Sequence, residues 1–144
     1  MKIEITHFEE KDRERLKIIY SEVRQTNFTW LPPEFFNISS FDKDTEGEFI
    51  LVAKVENEIV GFASVWLPDS FLHHLYVSNQ FQGRGVGTLL LKSVIDMTTS
   101  DITLKCLSKN ELAIKFYLQK GWEPVSEGES NEGRYILFKG RNPK

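Results

Sequence analysis

Between residues 82 and 88 the chain reads Gln82-Gly83-Arg84-Gly85-Val86-Gly87-Thr88, three glycines at alternate positions with an arginine among them. Glycine has no Cβ, so the main chain there can come close to a bulky anion and turn through conformations other residues avoid. If such a turn opens a helix, unpaired N–H groups and the positive end of the helix dipole face the same point in space. That chemistry suits a phosphate, with Arg84 placed to add a charge-assisted contact, and a pyrophosphate is its natural guest. The spacing also excludes two familiar phosphate-binding classes. A dinucleotide fold requires G-x-G-x-x-G and a P-loop requires Lys-Ser/Thr after its last glycine, and neither is present, which counts against a dehydrogenase or a kinase. The structural alternative is a glycine turn that only begins a helix.

Five further positions carry side chains capable of chemistry. His73 and His74 are the groups best suited to take up a proton near neutrality. On a strand, alternation would send them to opposite faces, with His73 on the side of Leu75 and Val77. Asn110 precedes a helical pattern, where asparagine is a favoured N-cap. Phe116 and Tyr117 lie on that helix as core aromatics, one of them bearing a phenol. Cys106, flanked by Leu104 and Leu107, reads as a small buried hydrophobe rather than a nucleophile. No metal-ligand set is expected.

The elements that must hold these groups follow from periodicity. Ile3 and Ile5 alternate as a first strand; Leu16, Ile19, Tyr20 and Val23 then recur at helical spacing. From Thr26 to Gly47 periodicity dissolves into a long loop with room for one short helix, carrying Trp30, Phe35, Phe36 and Phe41 among carboxylates. Phe49 to Val55 and Ile59 to Leu67 form a hairpin around Glu56-Asn57-Glu58. Phe71 to Val77 is a strand feeding, through the glycine turn, a helix built on Val86, Leu89, Leu90, Val94 and Met97. Ile102 to Cys106 is the next strand, followed by a helix from about Asn110 to Lys120 that Gly121 closes. Trp122 to Val125 and Tyr135 to Phe138 form the last pair. Interleaved strands and helices with hairpins define an α/β (α+β) architecture, a mixed and mostly antiparallel sheet of about seven strands flanked by about four helices.

Composition narrows the partners. The 144 residues fit one domain, 1–144, without repeats or linkers, able to bury roughly two-thirds of its unfolded surface. A net charge of −3 without a Lys/Arg block lacks the footprint of a nucleic-acid binder. The lone cysteine points to a reducing, cytoplasmic setting, and the absence of a long apolar run points away from a membrane.

Gln82, Gly85 and Gly87 occupy the positions of the Q/R-x-x-G-x-G/A pattern that the turn resembles, that of the GCN5-related N-acetyltransferases. The family places it after its fourth strand, as Leu72-His73-His74-Leu75-Tyr76-Val77 stands here. Asn110-Glu111-Leu112-Ala113-Ile114-Lys115-Phe116-Tyr117, then Gly121-Trp122, is similar to the family's Asn-x-x-Ala-x-x-Phe-Tyr helix and its Gly-aromatic ending. The resemblance is strongest from Phe49 to Phe138.

The resemblance implies an acetyl-CoA-dependent N-acetyltransferase acting directly on a primary amine of a small molecule or peptide. It also admits a catalytically silent acyl-CoA binder of the same fold. Main-chain groups of Leu75, Tyr76 and Val77 would receive the pantetheine arm, Gln82, Gly83, Arg84, Gly85, Val86, Gly87 and Thr88 the pyrophosphate, and Asn110 a further cofactor contact. Tyr117 matches the tyrosine that protonates the departing thiolate. The His-x-Leu-x-Val pattern of the serotonin N-acetyltransferase branch makes His73 the preferred base, which an amine of pKa ~10.4, only about one part in a thousand neutral at pH 7, requires. The acceptor would meet the 26–48 segment, whose aromatics and carboxylates suit a cation. A homodimer is compatible with this reading.

Overall fold

The computed structural model describes residues 1–37, 40–98 and 100–140. The chain runs β1 (Ile3–His7), α1 (Arg13–Asn27), α2 (Ser40–Asp44), β2 (Phe49–Val55), β3 (Glu58–Trp66), β4 (Phe71–Val77), α3 (Val86–Met97), β5 (Ile102–Leu107), α4 (Glu111–Gln119), β6 (Glu123–Ser130) and β7 (Gly133–Gly140). Among the described residues the strands form one sheet in the order β1-β2-β3-β4-β5-β7-β6, in which only β4 and β5 are parallel neighbours. This is the mixed, mostly antiparallel sheet with four helices that the periodicity indicates.

Both faces of the sheet are covered, so its central strands are apolar at consecutive positions rather than alternately. Ile50 and Val52 of β2 join Phe62 under Leu16, Ile19, Tyr20 and Val23 of α1 and Phe41 of α2. Leu51 and Ala53 join Ala63, Val65 and Leu72 under Val86, Leu90, Leu91 and Val94 of α3, with Tyr117 of α4. The β2–β3 hairpin turns on Glu56 and Asn57, both at positive φ, 51° and 67°, which is the twist a two-residue turn needs. Helix α4 stops as expected at Gly121 (φ +85°), where the Trp122 N–H reaches the Tyr117 carbonyl and the Gly121 N–H that of Leu118.

Two sequence expectations need adjustment. The 26–47 segment holds α2 and a short turn of helix at Pro33–Phe36, while residues 38 and 39 lie outside the described residues. Strand β6 runs to Ser130, well past Val125, because it is an edge strand exposed along most of its length and has no apolar alternation to read.

A third expectation is overturned. His73 and His74 do not point to opposite faces. Strand β3 pairs Ser64 with His74 and Val65 with Leu72, so His73 is an extra residue in β4, a bulge. The bulge resets the alternation. Leu72 sits in the α3-side core, His74 packs edge-on against Tyr20 on the α1 side, and Leu75 returns to the α3 side. His73 stacks on His74 with ring centroids 3.8 Å apart and a 27° angle between planes, instead of sharing the side of Leu75 and Val77.

Candidate active site in the cleft between the parallel strands

The parallel ladder between β4 and β5 is short, pairing Phe71 with Thr103 and Leu72 with Leu104 and nothing further along. From His73 onward, β4 keeps β3 on one side but has no strand on the other. A cavity of about 410 Å³ opens where the strands part, lined from β4 by His73, Leu75 and Tyr76, from β5 by Cys106, and from α4 by Ala113 and Tyr117. Its volume is in the range of small-ligand sites. The unpaired edge of Leu75, Tyr76 and Val77 offers main-chain donors and acceptors to an extended guest, as a missing strand would.

Beyond this edge lies the glycine turn. Gly83 and Gly85 take φ of +78° and +87°, and a Cβ built on either meets nothing within 4 Å, so glycine is required there for the backbone angle and leaves open space in front of it. Gly85 is the N-cap of α3 and brings no side-chain cap, leaving the first N–H groups of the helix without a side-chain partner. Gln82 serves a different end: its amide donates to the Val77 carbonyl at 3.0 Å, tying the turn to the end of β4. Arg84 lies over the Phe81 ring at 5.3 Å.

Asn110 lines the cavity and caps α4, its side-chain oxygen accepting from the Ala113 N–H at 3.3 Å. Tyr117 is buried among Phe116, Trp122 and Phe138 and reaches the cavity wall. Burial first, and then Cys106 and Tyr76, push its phenol far above the ordinary tyrosine range, so it stays protonated. Burial alone lifts the Cys106 thiol to about 12, which makes it inert, as its apolar flanks indicate.

His73 meets a partner that spacing could not reveal. Its Nδ1 lies 2.7 Å from an oxygen of Glu48, whose side chain is only 7% exposed. Beside it His74 is buried, and burial, then His73 and Arg24, hold its imidazole well below its ordinary range, against a hydrogen bond to the Asp44 main chain. Glu48, His73 and His74 each present one ligating atom within 4.8 Å of the other two. The sequence reading expected no such cluster.

The far wall of the cavity was not legible beforehand. Arg24 of α1 is buried, donates to the Tyr76 hydroxyl at 3.2 Å and pairs with Glu132 at the β6–β7 turn. Burial opposes its charge, but Tyr76, Tyr20 and Glu132 outweigh burial and keep it. Tyr20 donates to Asp44 at 2.5 Å. Tyr20 and Arg24 are four residues apart on the buried stripe of α1, and a charged residue at an apolar position was the one available signal. Of the 26–48 segment, Phe28 and Asp44 reach the cavity, whereas Phe41 is core and Asp42 is engaged by Arg13 and Lys17 at the surface.

A sequence profile described as the Acetyltransferase (GNAT) family matches residues 13–122. The chain therefore belongs to that family, and with it to the N-acetyltransferases. No curated protein sequence matches it significantly. Solved structures match over nearly the whole chain. A GCN5-related N-acetyltransferase from Rhodopseudomonas palustris has a TM-score of 0.82 at 18% identity, covering 98% of this chain and 96% of that one. The ribosomal-protein-S18-alanine N-acetyltransferase from Escherichia coli scores 0.78 at 16%, covering 99% and 96%. The PaiA N-acetyltransferase from Thermoplasma acidophilum, solved with coenzyme A, scores 0.77 at 17%, covering 98% and 99%. At these identities the likeness is one of fold. No helix among the described residues is long and apolar enough to cross a membrane.

Proposed function

We propose that this protein transfers the acetyl group of acetyl-CoA directly to a primary amine on a small molecule or peptide, in a cytoplasmic setting. The observation that carries the reading is the parting of β4 and β5. The cleft it opens is lined by Leu75 and Tyr76 of the unpaired edge, by the Tyr117 phenol and by His73, the partner of Glu48, and the uncapped start of α3 follows in the chain just past the end of that edge.

The residues fit the cosubstrate. The edge at Leu75, Tyr76 and Val77 would hold the pantetheine amides, and the N–H groups from Gly83 to Thr88 would hold the pyrophosphate, where the positive φ of Gly83 and Gly85 leaves room for an anion. Arg84 would add charge at the rim, Gln82 holds the turn, and Asn110 would add a contact at the head of α4. Bound acetyl-CoA supplies an activated carbonyl on a sulfur leaving group.

His73 takes the proton from the incoming ammonium. With its Nδ1–H donated to Glu48, the Nε2 lone pair is the free base, and the carboxylate orients the ring. Tyr117 gives its proton to the departing sulfur. Asp44 places a carboxylate at the acceptor end of the cavity, which supports a cationic acceptor, while Glu132 beside it is paired with Arg24. Cys106, with its thiol lifted to about 12, supplies no nucleophile, which supports direct transfer rather than an acetyl-cysteine route.

Calorimetry with coenzyme A, paired with free-thiol release from acetyl-CoA across a panel of primary amines, tests the reading. It is upheld by binding together with thiol release that requires an amine. Binding without release for every amine would leave a silent acyl-CoA protein, and no heat on adding coenzyme A would remove the cofactor site as well.

A further inference from the structure

We propose that Glu48, His73 and His74 form a binding site for one divalent first-row transition-metal ion, zinc foremost, at the mouth of the acceptor end of the cleft. The proposal stands apart from acetyl transfer and uses the metal as a ligand of the protein, not as a participant in the reaction.

The β4 bulge is what assembles the site. Without it the two imidazoles would lie on opposite faces of the sheet, and with it their rings stack at 3.8 Å. Glu48, from the segment just before β2, closes the third side, and one ligating atom from each residue lies within 4.8 Å of the others. Tetrahedral bonds of about 2.0–2.2 Å put ligand atoms about 3.3 Å apart, so the three need to close by at most about 1.5 Å, and the exposed His73 ring has to turn out of its stack on His74 for the two in-plane lone pairs to meet at one ion.

The second observation is that two buried lone pairs here have no partner. His74, only 6% exposed, has an Nε2 that bonds to nothing, and Glu48 has an Oε1 in the same condition. A buried polar atom left unpaired carries a desolvation penalty, and a site for a cation resolves both at once. His74 also bonds the Asp44 main-chain carbonyl, and since Nε2 is unpartnered, Nδ1 is the donor. An imidazole with Nδ1–H held by a carbonyl and Nε2 left free is the arrangement that fixes a metal-ligating histidine. Asp44 is itself steadied by Tyr20, whose hydroxyl donates to its carboxylate at 2.5 Å.

Two imidazoles and one carboxylate are a borderline N₂O donor set, suited to Zn²⁺, Co²⁺ or Ni²⁺ and poorly suited to Mg²⁺ or Ca²⁺. Three protein ligands leave a position open towards the cleft. Because His73 would be both ligand and, on the reading above, base, an occupied site would withhold it from the incoming amine.

Cobalt titration of the full chain, without acetyl-CoA, reads the site directly. The expected result is a visible d–d band saturating at one equivalent of Co²⁺, erased by Zn²⁺ and unaffected by excess Mg²⁺. His73→Ala and Glu48→Gln should weaken binding by more than the roughly 10- to 100-fold that outer-shell changes cost, with a preserved thermal transition showing that each variant is folded. His7→Ala, which alters the remaining histidine, should leave the titration unchanged. Because His74 is buried and its replacement could unfold the core, the two other variants carry the test. No band with Co²⁺, or equal affinity in His73→Ala and the parent, would overturn the site. Neither result depends on whether acetyl transfer occurs.

Discussion

Replacing Tyr117 by Phe isolates one hydroxyl. The ring packs among Phe116, Trp122 and Phe138 at centroid distances of 5.3 to 5.8 Å, contacts that phenylalanine reproduces. Folding and coenzyme A binding should therefore change little. The proposed role of the hydroxyl is to protonate the sulfur as it leaves, and burial affects both partners in that step. A phenol held far above its ordinary range is a weaker acid than in water, which by itself would argue against the role. Yet Cys106, on the wall of the same cavity, shows what this environment does to sulfur, its thiol being lifted to about 12. A thiolate expelled there is correspondingly more basic, so burial raises donor and acceptor together, and the transfer, uphill between a phenol and a thiolate in water as well, is carried by the breaking of the carbon–sulfur bond. General acid catalysis contributes about 10²- to 10⁴-fold, or about 3–5 kcal/mol of barrier. Thiol-release kinetics with saturating acetyl-CoA and amine should show kcat lower by that factor in Tyr117→Phe, with the Kd for coenzyme A within about twofold of the parent. A kcat close to the parent's, at unchanged Kd, would refute the acid role and leave Tyr117 as packing.

Two other expectations rest on different groups. Gly85→Ala should cost about 1–2 kcal/mol of stability, since φ is +87° with open space around the new Cβ, and should also weaken coenzyme A by placing a methyl in the cradle. Gly87→Ala, inside α3 and with a Cβ that would make only ordinary 3.7 Å contacts, should keep or raise the denaturation midpoint, and equal losses in the two variants would contradict this account. Cys106 should alkylate with iodoacetamide at pH 8 about three orders of magnitude more slowly in the native chain than in urea, given a thiol held at about 12 against ~8.5 when unfolded. The raised pKa also means that its contribution to stability is fully present below the unfolded value and is lost as pH rises towards 12, a loss that Cys106→Ala should lessen in alkaline denaturation.

How far the sequence reveals the molecule depends on whether a feature is local. The strand, glycine turn and helix from Phe71 to Met97 were legible because each is written in neighbouring residues, and the same holds for the Gly121 cap and the Asn110 N-cap. Edge strand β6 was half visible, since an exposed ladder leaves polar residues free of pattern. The Arg24–Glu132 pair joins residues 108 positions apart, and nothing near either one announces the other.

The histidines mark the limit most sharply. Alternation is a rule about regular strands, and it placed His73 and His74 on opposite faces because no residue in Leu72-His73-His74-Leu75 signals an interruption. The interruption arises from pairing: β3 aligns Ser64 with His74 and Val65 with Leu72, and one residue of β4 has no counterpart. A bulge twists its strand and ends regular pairing, and here the β4–β5 ladder stops at the residue before the bulge. The same extra residue can thus account for both halves of the site. It stacks two imidazoles where Glu48 can reach them, and it lies where β4 leaves β5 and opens the edge that the proposed cosubstrate would occupy.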